Sequence, residues 1–202
     1  IDATAPNLTD AVTGVNWNSG KAAGSRLRTG ANFSRTSVRA IFTEQSGLDA
    51  STVDPSDFTV GGVAPVSAVV VDIVGEDADP AERNVAKDVF LTMGSNLASD
   101  ATPTVAVVGS VSDKAGNALT TDSFKARDAI GPGLTTSFAA GSLSNKSVKV
   151  NVSTDETLAS DPTTSSNVVV KPLTNKTTGA LGTQVTPTVA QTASNSWSIT
   201  TK

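Results

Sequence analysis

Short stretches in which apolar and polar residues alternate run along the chain, and turn-forming residues separate them. Within residues 36–43, Val38, Ala40 and Phe42 alternate with Ser37, Arg39 and Ile41, as expected for a β-strand. Valine-rich or alternating stretches at 67–74, 85–93 and 103–111 have the same character, and clusters of Asp, Pro, Gly and Asn lie at 54–57 and 113–117. No stretch shows helical periodicity for more than about two turns. Many short strands with closely spaced turns predict a β-sandwich.

The chain also repeats itself. Residues 2–9 (DATAPNLT) return as 128–135 (DAIGPGLT), and residues 37–43 (SVRAIFT) return as 147–153 (SVKVNVS). A repeat at a spacing of roughly a hundred residues is the size of a domain and too long for a solenoid. We therefore predict two modules in tandem, 1–127 and 128–202. The first carries a long insertion at 9–35.

The second predicted module is shorter than the first. Its candidate strands are 134–138, 147–153, 167–172, 184–190 and 196–200. It contains no counterpart of residues 111–117 (VSDKAGN), so we expect either a truncated module or a final strand supplied from elsewhere. A sheet that lacks its last strand exposes an edge that another chain can complete by strand addition.

Several segments resemble the immunoglobulin-like surface repeats of bacteria and archaea. They are residues 38–44 (VRAIFTE), 48–53 (LDASTV), 58–60 (FTV) and the ending 111–117. The resemblance covers most of the first module and about half of the second, in which Asn151 replaces the apolar Ile41. It implies tandem immunoglobulin-like β-sandwich domains in a protein outside the cell, at its surface.

Three functions are compatible with that resemblance. The first is a structural module of an S-layer or another cell-envelope assembly, which would contact neighbouring modules of its own chain and associate with itself in an array or fibre. The second is a stalk module of an adhesin or phage fibre. The third is an accessory domain pair of a secreted hydrolase, and the neighbouring domains of the full protein would distinguish the three.

Composition narrows the chemistry. The net charge is −4, the isoelectric point is about 4.7, and basic residues are scattered, which argues against nucleic acid as a partner. No apolar run is long enough to insert into a membrane. His and Cys are absent, so triads based on His or Cys are excluded and we expect no enzymatic activity. Aromatic residues are few, and we expect the following to fill the core: Phe42, Phe58, Phe90 and Phe124.

Calcium is the cofactor that the acidic turns favour. Ca²⁺ takes six to eight oxygen ligands from carboxylates, carbonyls and amides. A site at the linker between modules would use Asp113, Asn117 and Asp128, and Asp2 would act in the same way toward a preceding module. A second candidate is the acidic segment 76–82. The competing interpretation is that these Asp side chains only cap their own turns.

Two further sets of residues suggest surface chemistry. Five acceptor sequences for N-linked glycosylation begin at Asn7, Asn32, Asn145, Asn151 and Asn175, although such sequences also arise by chance in a chain so rich in Ser and Thr. Trp197 lies in a strand pattern and is expected to pack. For Trp17, in a polar stretch, we expect packing against the sandwich, with contact to a sugar or a partner as the alternative.

Overall fold

The computed structural model describes residues 2–17, 27–28, 35–71, 86–138, 148–158, 162–163, 168–171, 173–175 and 177–201. The regular elements among them are β-strands paired in antiparallel sheets, with two short 3₁₀ turns at Ala50–Thr52 and Pro55–Asp57. The all-β prediction is confirmed. Within this part of the chain, no helix has the length and apolar character needed to cross a membrane. The chain divides into two compact units, Ile1–Gly131 (unit 1) and Pro132–Lys202 (unit 2).

Unit 1 contains two principal sheets. The first is four-stranded, in the order β1-β4-β7-β6, and the second is three-stranded, in the order β11-β8-β5. Two shorter pairs, β2 with β3 and β9 with β10, complete the described strands. In chain order the strands are β1 (Asn7–Thr13), β2 (Asn16–Trp17), β3 (Leu27–Arg28), β4 (Ser37–Thr43), β5 (Phe58–Val60), β6 (Ser67–Val71), β7 (Ala86–Thr92), β8 (Thr104–Val107), β9 (Val111–Ser112), β10 (Ala118–Leu119) and β11 (Asp122–Lys125).

The main core of unit 1 combines side chains from both sheets. Val38 and Phe42 of β4 and Leu91 of β7 come from the first sheet and are fully buried. The second sheet contributes Phe58 and Val105 to the same cluster. The edge of the Phe42 ring meets Phe58, with centroids 6.4 Å apart and an interplanar angle of 80°. Unit 1 is therefore sandwich-like, with alternate residues of each strand filling the space between sheets.

The opposite face of the first sheet is covered as well. Ile41 and Phe90 form a second buried cluster, and the Trp17 ring packs against Phe90 with centroids 5.9 Å apart. Arg39 lies on this face, and its Nε donates to Asp88 Oδ1 at 2.6 Å with both side chains buried. β4 is buried on both faces, and its apolar alternation is kept for that reason. The charged residue on the second face is tolerated because its charge is paired.

Phe124 corrects one expectation about the core. It lies in β11, which pairs with β8, but its side chain is 36% exposed, whereas Phe42, Phe58 and Phe90 are all buried. A strand turns alternate side chains to opposite faces. Phe124 therefore cannot be assigned to a core from residue type alone.

The first strand of unit 1 lies beside the last residues of the same unit. Val12 and Arg127 form a parallel bridge. The Arg127 amide donates to the Ala11 carbonyl at 2.8 Å, and the Thr13 amide donates to the Arg127 carbonyl at 2.9 Å. The chain thus enters and leaves unit 1 on adjacent, parallel backbone segments.

Unit 2 repeats the four-stranded sheet of unit 1. Its order is β12-β13-β17-β16, and β14 and β15 form a separate pair. Val148 pairs with Thr201 and Val150 with Ile199, each 110 residues after the pairs Val38 with Leu91 and Ala40 with Val89. The strands are β12 (Leu134–Phe138), β13 (Val148–Thr154), β14 (Leu173–Asn175), β15 (Ala180–Leu181), β16 (Thr188–Ala193) and β17 (Ser196–Thr201).

Two strand predictions for unit 2 were wrong in their limits. The strand expected at 184–190 is Thr188–Ala193, joined to β17 by the tight turn Ser194–Asn195, in which Asn195 has a φ of 58°. The strand expected at 167–172 is represented in the described residues by a single bridge from Val170 to Val185. Asn tolerates a positive φ, so the Asn195 turn extends the hairpin beyond the point where alternation ends.

Candidate functional site

Three carboxylates converge in unit 1. One oxygen each from Asp2, Glu44 and Asp113 lie within 4.8 Å of one another. Glu44 and Asp113 are buried, with exposed fractions of 5% and 1%, and Asp2 is partly buried. We call these three residues the acidic cluster.

Three separate segments bring the acidic cluster together. Glu44 directly follows β4, and Asp113 follows β9 in the turn that leads to β10. The loop after β4 is bound to that turn, because Leu48 bridges Asp113 and the Lys114 amide donates to the Gly47 carbonyl at 2.9 Å. Gly47 has a φ of +85°, a conformation that glycine adopts without strain.

Hydrogen bonds hold the Asp113 side chain in its ionised form. Its Oδ1 accepts the Asn117 amide at 2.8 Å, and its Oδ2 accepts Asn117 Nδ2 at 2.7 Å. Burial opposes ionisation, but the bonds from Asn117 and from the backbone of Ala115 and Gly116 outweigh it, so the pKa of Asp113 lies below its usual value. Asp113 therefore keeps its negative charge at neutral pH.

Asp2 attaches the segment before β1 to this turn. The Asp2 carbonyl accepts Asn117 Nδ2 at 3.3 Å, and Asp2 Oδ1 accepts the Thr4 amide at 3.0 Å. Its other oxygen, Oδ2, is shielded from solvent and has no hydrogen-bond partner among the described residues. A buried carboxylate oxygen without a donor is energetically unfavourable, and a cation would satisfy it.

The acidic cluster has the donor set of a hard divalent cation. Each carboxylate contributes one oxygen to the cluster, and carboxylate oxygens are among the ligands that Ca²⁺ takes. Lysine side chains lie nearby, since Lys87 Cε and Lys114 Nζ are within 4 Å of the place where a side chain on Gly47 would begin. Two arrangements are therefore chemically reasonable, a bound cation or charge balance by lysine, and a titration distinguishes them.

The structure brings together three of the four residues predicted for a calcium site. Asp2, Asp113 and Asn117 meet, with Asn117 acting as a hydrogen-bond donor. Asp128 does not join them. Its Oδ1 accepts the Ile130 amide at 2.9 Å and Thr13 Oγ1 at 3.3 Å.

Sequence reasoning missed Glu44. It lies 69 residues before Asp113 in a loop of ordinary composition, and its only local sign is a carboxylate at the end of a strand. The acidic segment 76–82 lies outside the described residues.

The glycosylation candidates are placed unevenly. Asn7 opens β1 and Asn151 lies in the middle of β13, and both side chains are exposed. Asn175 is in β14, but its side chain is not among those described. Asn32 and Asn145 lie outside the described residues. Of the two indoles, Trp197 is buried, with 5% exposure, and Trp17 packs against Phe90.

Comparisons of this chain with known protein families, curated proteins and solved structures found no match.

Proposed function

We propose that this chain is a structural, load-bearing segment of an extracellular cell-surface assembly, made of two immunoglobulin-like modules in series. The resemblance of residues 38–44, 48–53, 58–60 and 111–117 to surface repeats supports this assignment, as does the recurrence of one sheet order and register in both units. A surface layer of the cell envelope is the assembly that fits best, because its subunits hold a continuous wall against stress.

The observation that carries the proposal is the parallel pairing of β1 with Arg127. Tension along the chain pulls β1 and the segment at Arg127 in opposite directions along their common axis. The hydrogen bonds of Ala11 and Thr13 with Arg127 are then loaded together in shear, not opened one after another. Such a unit unfolds slowly under load because several bonds must break at once, and forced unfolding is governed by the unfolding rate.

Single-molecule pulling of the full chain tests this role. We expect a distinct unfolding peak for unit 1, and we expect Arg127→Pro to lower its force, because proline removes the amide that bonds Ala11. Arg127→Ala is the matched control, since it removes the ion pair with Asp10 but keeps the backbone bond. Equal forces for both variants, or unit 1 yielding without a peak, would contradict the shear geometry as the source of strength.

The acidic cluster fits the same role as a calcium brace. A Ca²⁺ ion held by Asp2, Glu44 and Asp113 would fasten the entering chain to the β9–β10 turn, so that tension reaches β1 through a fixed point. Bound ligand raises stability by mass action, by about 2.7 kcal/mol at a concentration of 100 times the dissociation constant. Asp2 Oδ2, which is buried and has no hydrogen-bond partner in the part of the chain that the structure describes, is the specific support for this second element.

Thermal unfolding with and without Ca²⁺ tests the brace. We expect Ca²⁺ to raise the melting temperature of unit 1, and we expect Glu44→Gln or Asp113→Asn to abolish that rise. Asp128→Asn is the matched control, because Asp128 lies outside the acidic cluster and should leave the rise intact. A melting temperature that is the same in EDTA and in millimolar Ca²⁺ would end the calcium assignment.

A further inference from the structure

A pocket of about 270 Å³ lies in unit 1, on the face of the first sheet that carries the second buried cluster. Two cross-strand pairs contribute to it, because Ser37 of β4 lies opposite Thr92 of β7, and Val69 of β6 lies opposite Phe90. The strand pair β2–β3 contributes the rest through β2. The lining residues are Asn16, Trp17, Ser37, Val69, Phe90 and Thr92.

Trp17 provides the aromatic wall of the pocket. Its ring packs against Phe90, with centroids 5.9 Å apart and planes inclined by 36°, but the side chain as a whole is only half-buried. Part of the indole therefore remains accessible beside the pocket. The face of an aromatic ring is apolar and carries partial negative charge, so it attracts C–H groups of a ligand.

The segment that leads to Trp17 is fixed on the sheet. The chain turns at Gly14, whose φ is +72°, and the Gly14 amide donates to the Ser37 carbonyl at 2.8 Å. The Ser37 hydroxyl in turn donates to the Val15 carbonyl at 2.6 Å. These two bonds tie the chain just before Trp17 to β4, so the wall is formed before a ligand arrives. A preformed wall lowers the ordering cost of binding.

Two neutral polar side chains border the same pocket. Asn16 is half-buried and Thr92 is exposed, so both can reach a ligand. A carboxamide and a hydroxyl each donate and accept hydrogen bonds, which suits the hydroxyl groups of a ligand. An aromatic wall beside such groups is complementary to a molecule with an apolar C–H face and a rim of hydroxyls. A sugar ring has that chemistry.

Charge and size narrow the ligand further. None of the lining residues carries a charge, and on the same sheet face Arg39 and Asp88 are buried and paired with each other. A phosphate or carboxylate would therefore meet no cation among the lining residues. The volume lies just below the range of roughly 300–1,000 Å³ that is typical of pockets for larger ligands, which favours a single ring.

We propose that this pocket binds one neutral pyranose unit, either at the end of a glycan or as a free sugar. The C–H face of the ring lies against Trp17, and its hydroxyls bond to Asn16 and Thr92. The site does not depend on the load-bearing role or on calcium, and its failure would leave both untouched.

Saturation-transfer NMR with the full chain tests the site. The probes are the methyl glycosides of glucose, galactose, mannose and N-acetylglucosamine. We expect at least one of them to bind with a dissociation constant in the millimolar range, with the strongest transfer to the C–H protons of one ring face. Methyl glucuronide is the charged counterpart of the glucoside and should bind more weakly, because its carboxylate has no cation to meet.

The parent free sugars distinguish the two sources of the ligand. A site for the end of a glycan accepts a methyl glycoside as well as the free sugar, because the anomeric oxygen points out of the pocket. A site for a free sugar accepts only the latter. Either result with a neutral sugar supports the pocket and identifies its source.

Two substitutions locate the binding. Thr92→Val keeps the shape of an exposed side chain but removes its hydroxyl, and we expect binding about fivefold weaker, as for one hydrogen bond. Thr104→Val is the matched control, because Thr104 is an exposed strand threonine of β8 that does not line the pocket. Trp17→Leu keeps an apolar side chain on Phe90 but removes the aromatic face, and it should abolish binding. Thermal unfolding checks that unit 1 remains folded, and Thr92→Val keeps the test valid if Trp17→Leu does not fold.

Three results would overturn the proposal. The first is that none of the glycosides or free sugars binds the folded chain. The second is that Thr92→Val and Thr104→Val have the same effect, which would place any binding elsewhere. The third is that methyl glucuronide binds more tightly than the methyl glucoside, which would contradict a neutral pocket.

Discussion

Val38 and Val148 occupy the same position in the two sheets, 110 residues apart, and the same substitution at each measures how well that position is enclosed. Val38 is fully buried in the core of unit 1. Val38→Ala removes two carbons, worth about 1.6 kcal/mol in transfer free energy at about 0.8 each. The cavity adds to this, for a total of about 2–3 kcal/mol. At roughly 4 °C per kcal/mol for a domain of this size, the melting temperature of unit 1 should fall by about 8–12 °C.

Val148→Ala should cost much less. The Val148 side chain is only partly buried and borders a groove of about 370 Å³, so water replaces the lost methyl groups and no closed cavity forms. We expect a loss of about 0.5–1 kcal/mol in the free energy of unfolding of unit 2. The structure predicts the ratio between the two losses in the free energy of unfolding, that of Val38→Ala and that of Val148→Ala.

Each unit contains one tryptophan, which makes the measurement direct. Urea unfolding is followed through Trp17 in a Trp197→Phe background for unit 1, and through Trp197 in a Trp17→Phe background for unit 2. The midpoint should shift without a change in the slope against urea, since the substitutions change stability and not the area exposed. An equal loss in both units would refute the reasoning, because it would mean that Val148 is as well enclosed as Val38.

Three further outcomes are expected. Gly62→Ala should destabilise unit 1 by the ~1–2 kcal/mol expected for left-handed backbone strain, because Gly62 faces open space. Gly14→Ala should cost more, because a Cβ on Gly14 would also lie 2.8 Å from a backbone oxygen. Urea unfolding measures both losses. Arg39→Met should cost about 3–5 kcal/mol by the same assay, because it leaves a buried carboxylate without its guanidinium. Hydrogen bonds from the Ser51 side chain and amide lower the pKa of Asp49 below 3.8. Asp49→Asn should therefore be less stable than the wild type above pH 4, with the difference vanishing as the pH falls through the lowered pKa.

Much of the strand pattern was predictable from sequence because it depends on local alternation. The side chains of Val38, Ala40 and Phe42 fall on one face in any extended chain, and the repeat at Val148 and Val150 indicated the same strand in unit 2. What sequence could not show is which strand faces are covered. Phe124 and Phe42 are the same residue type in alternating strands, and only the packing of the two sheets distinguishes them.

The candidate site was partly predictable for the same reason. Asp113 and Asn117 stand in one turn, and their hydrogen bonds follow from their spacing. The repeat made Asp2 and Asp128 equivalent, and each does accept the backbone amide two residues ahead. Their surroundings differ, because Glu44 joins the site of Asp2 through a long-range contact that leaves no periodic signal in the chain.

The pairing of Val12 with Arg127 also determines when unit 1 can finish folding. These residues are separated by more than a hundred positions, so the bridge closes one of the longest loops in the unit, and closure entropy rises with loop length. During synthesis, this bridge cannot form until Arg127 has left the ribosome, although β1 can pair with β4 before that. The β16–β17 hairpin, closed by the turn Ser194–Asn195, has contacts that are local and form early. Unit 1, although made first, therefore closes the contact between β1 and its own last residues only after nearly its whole sequence has emerged, whereas the four strands of its first sheet lie within residues 7–92.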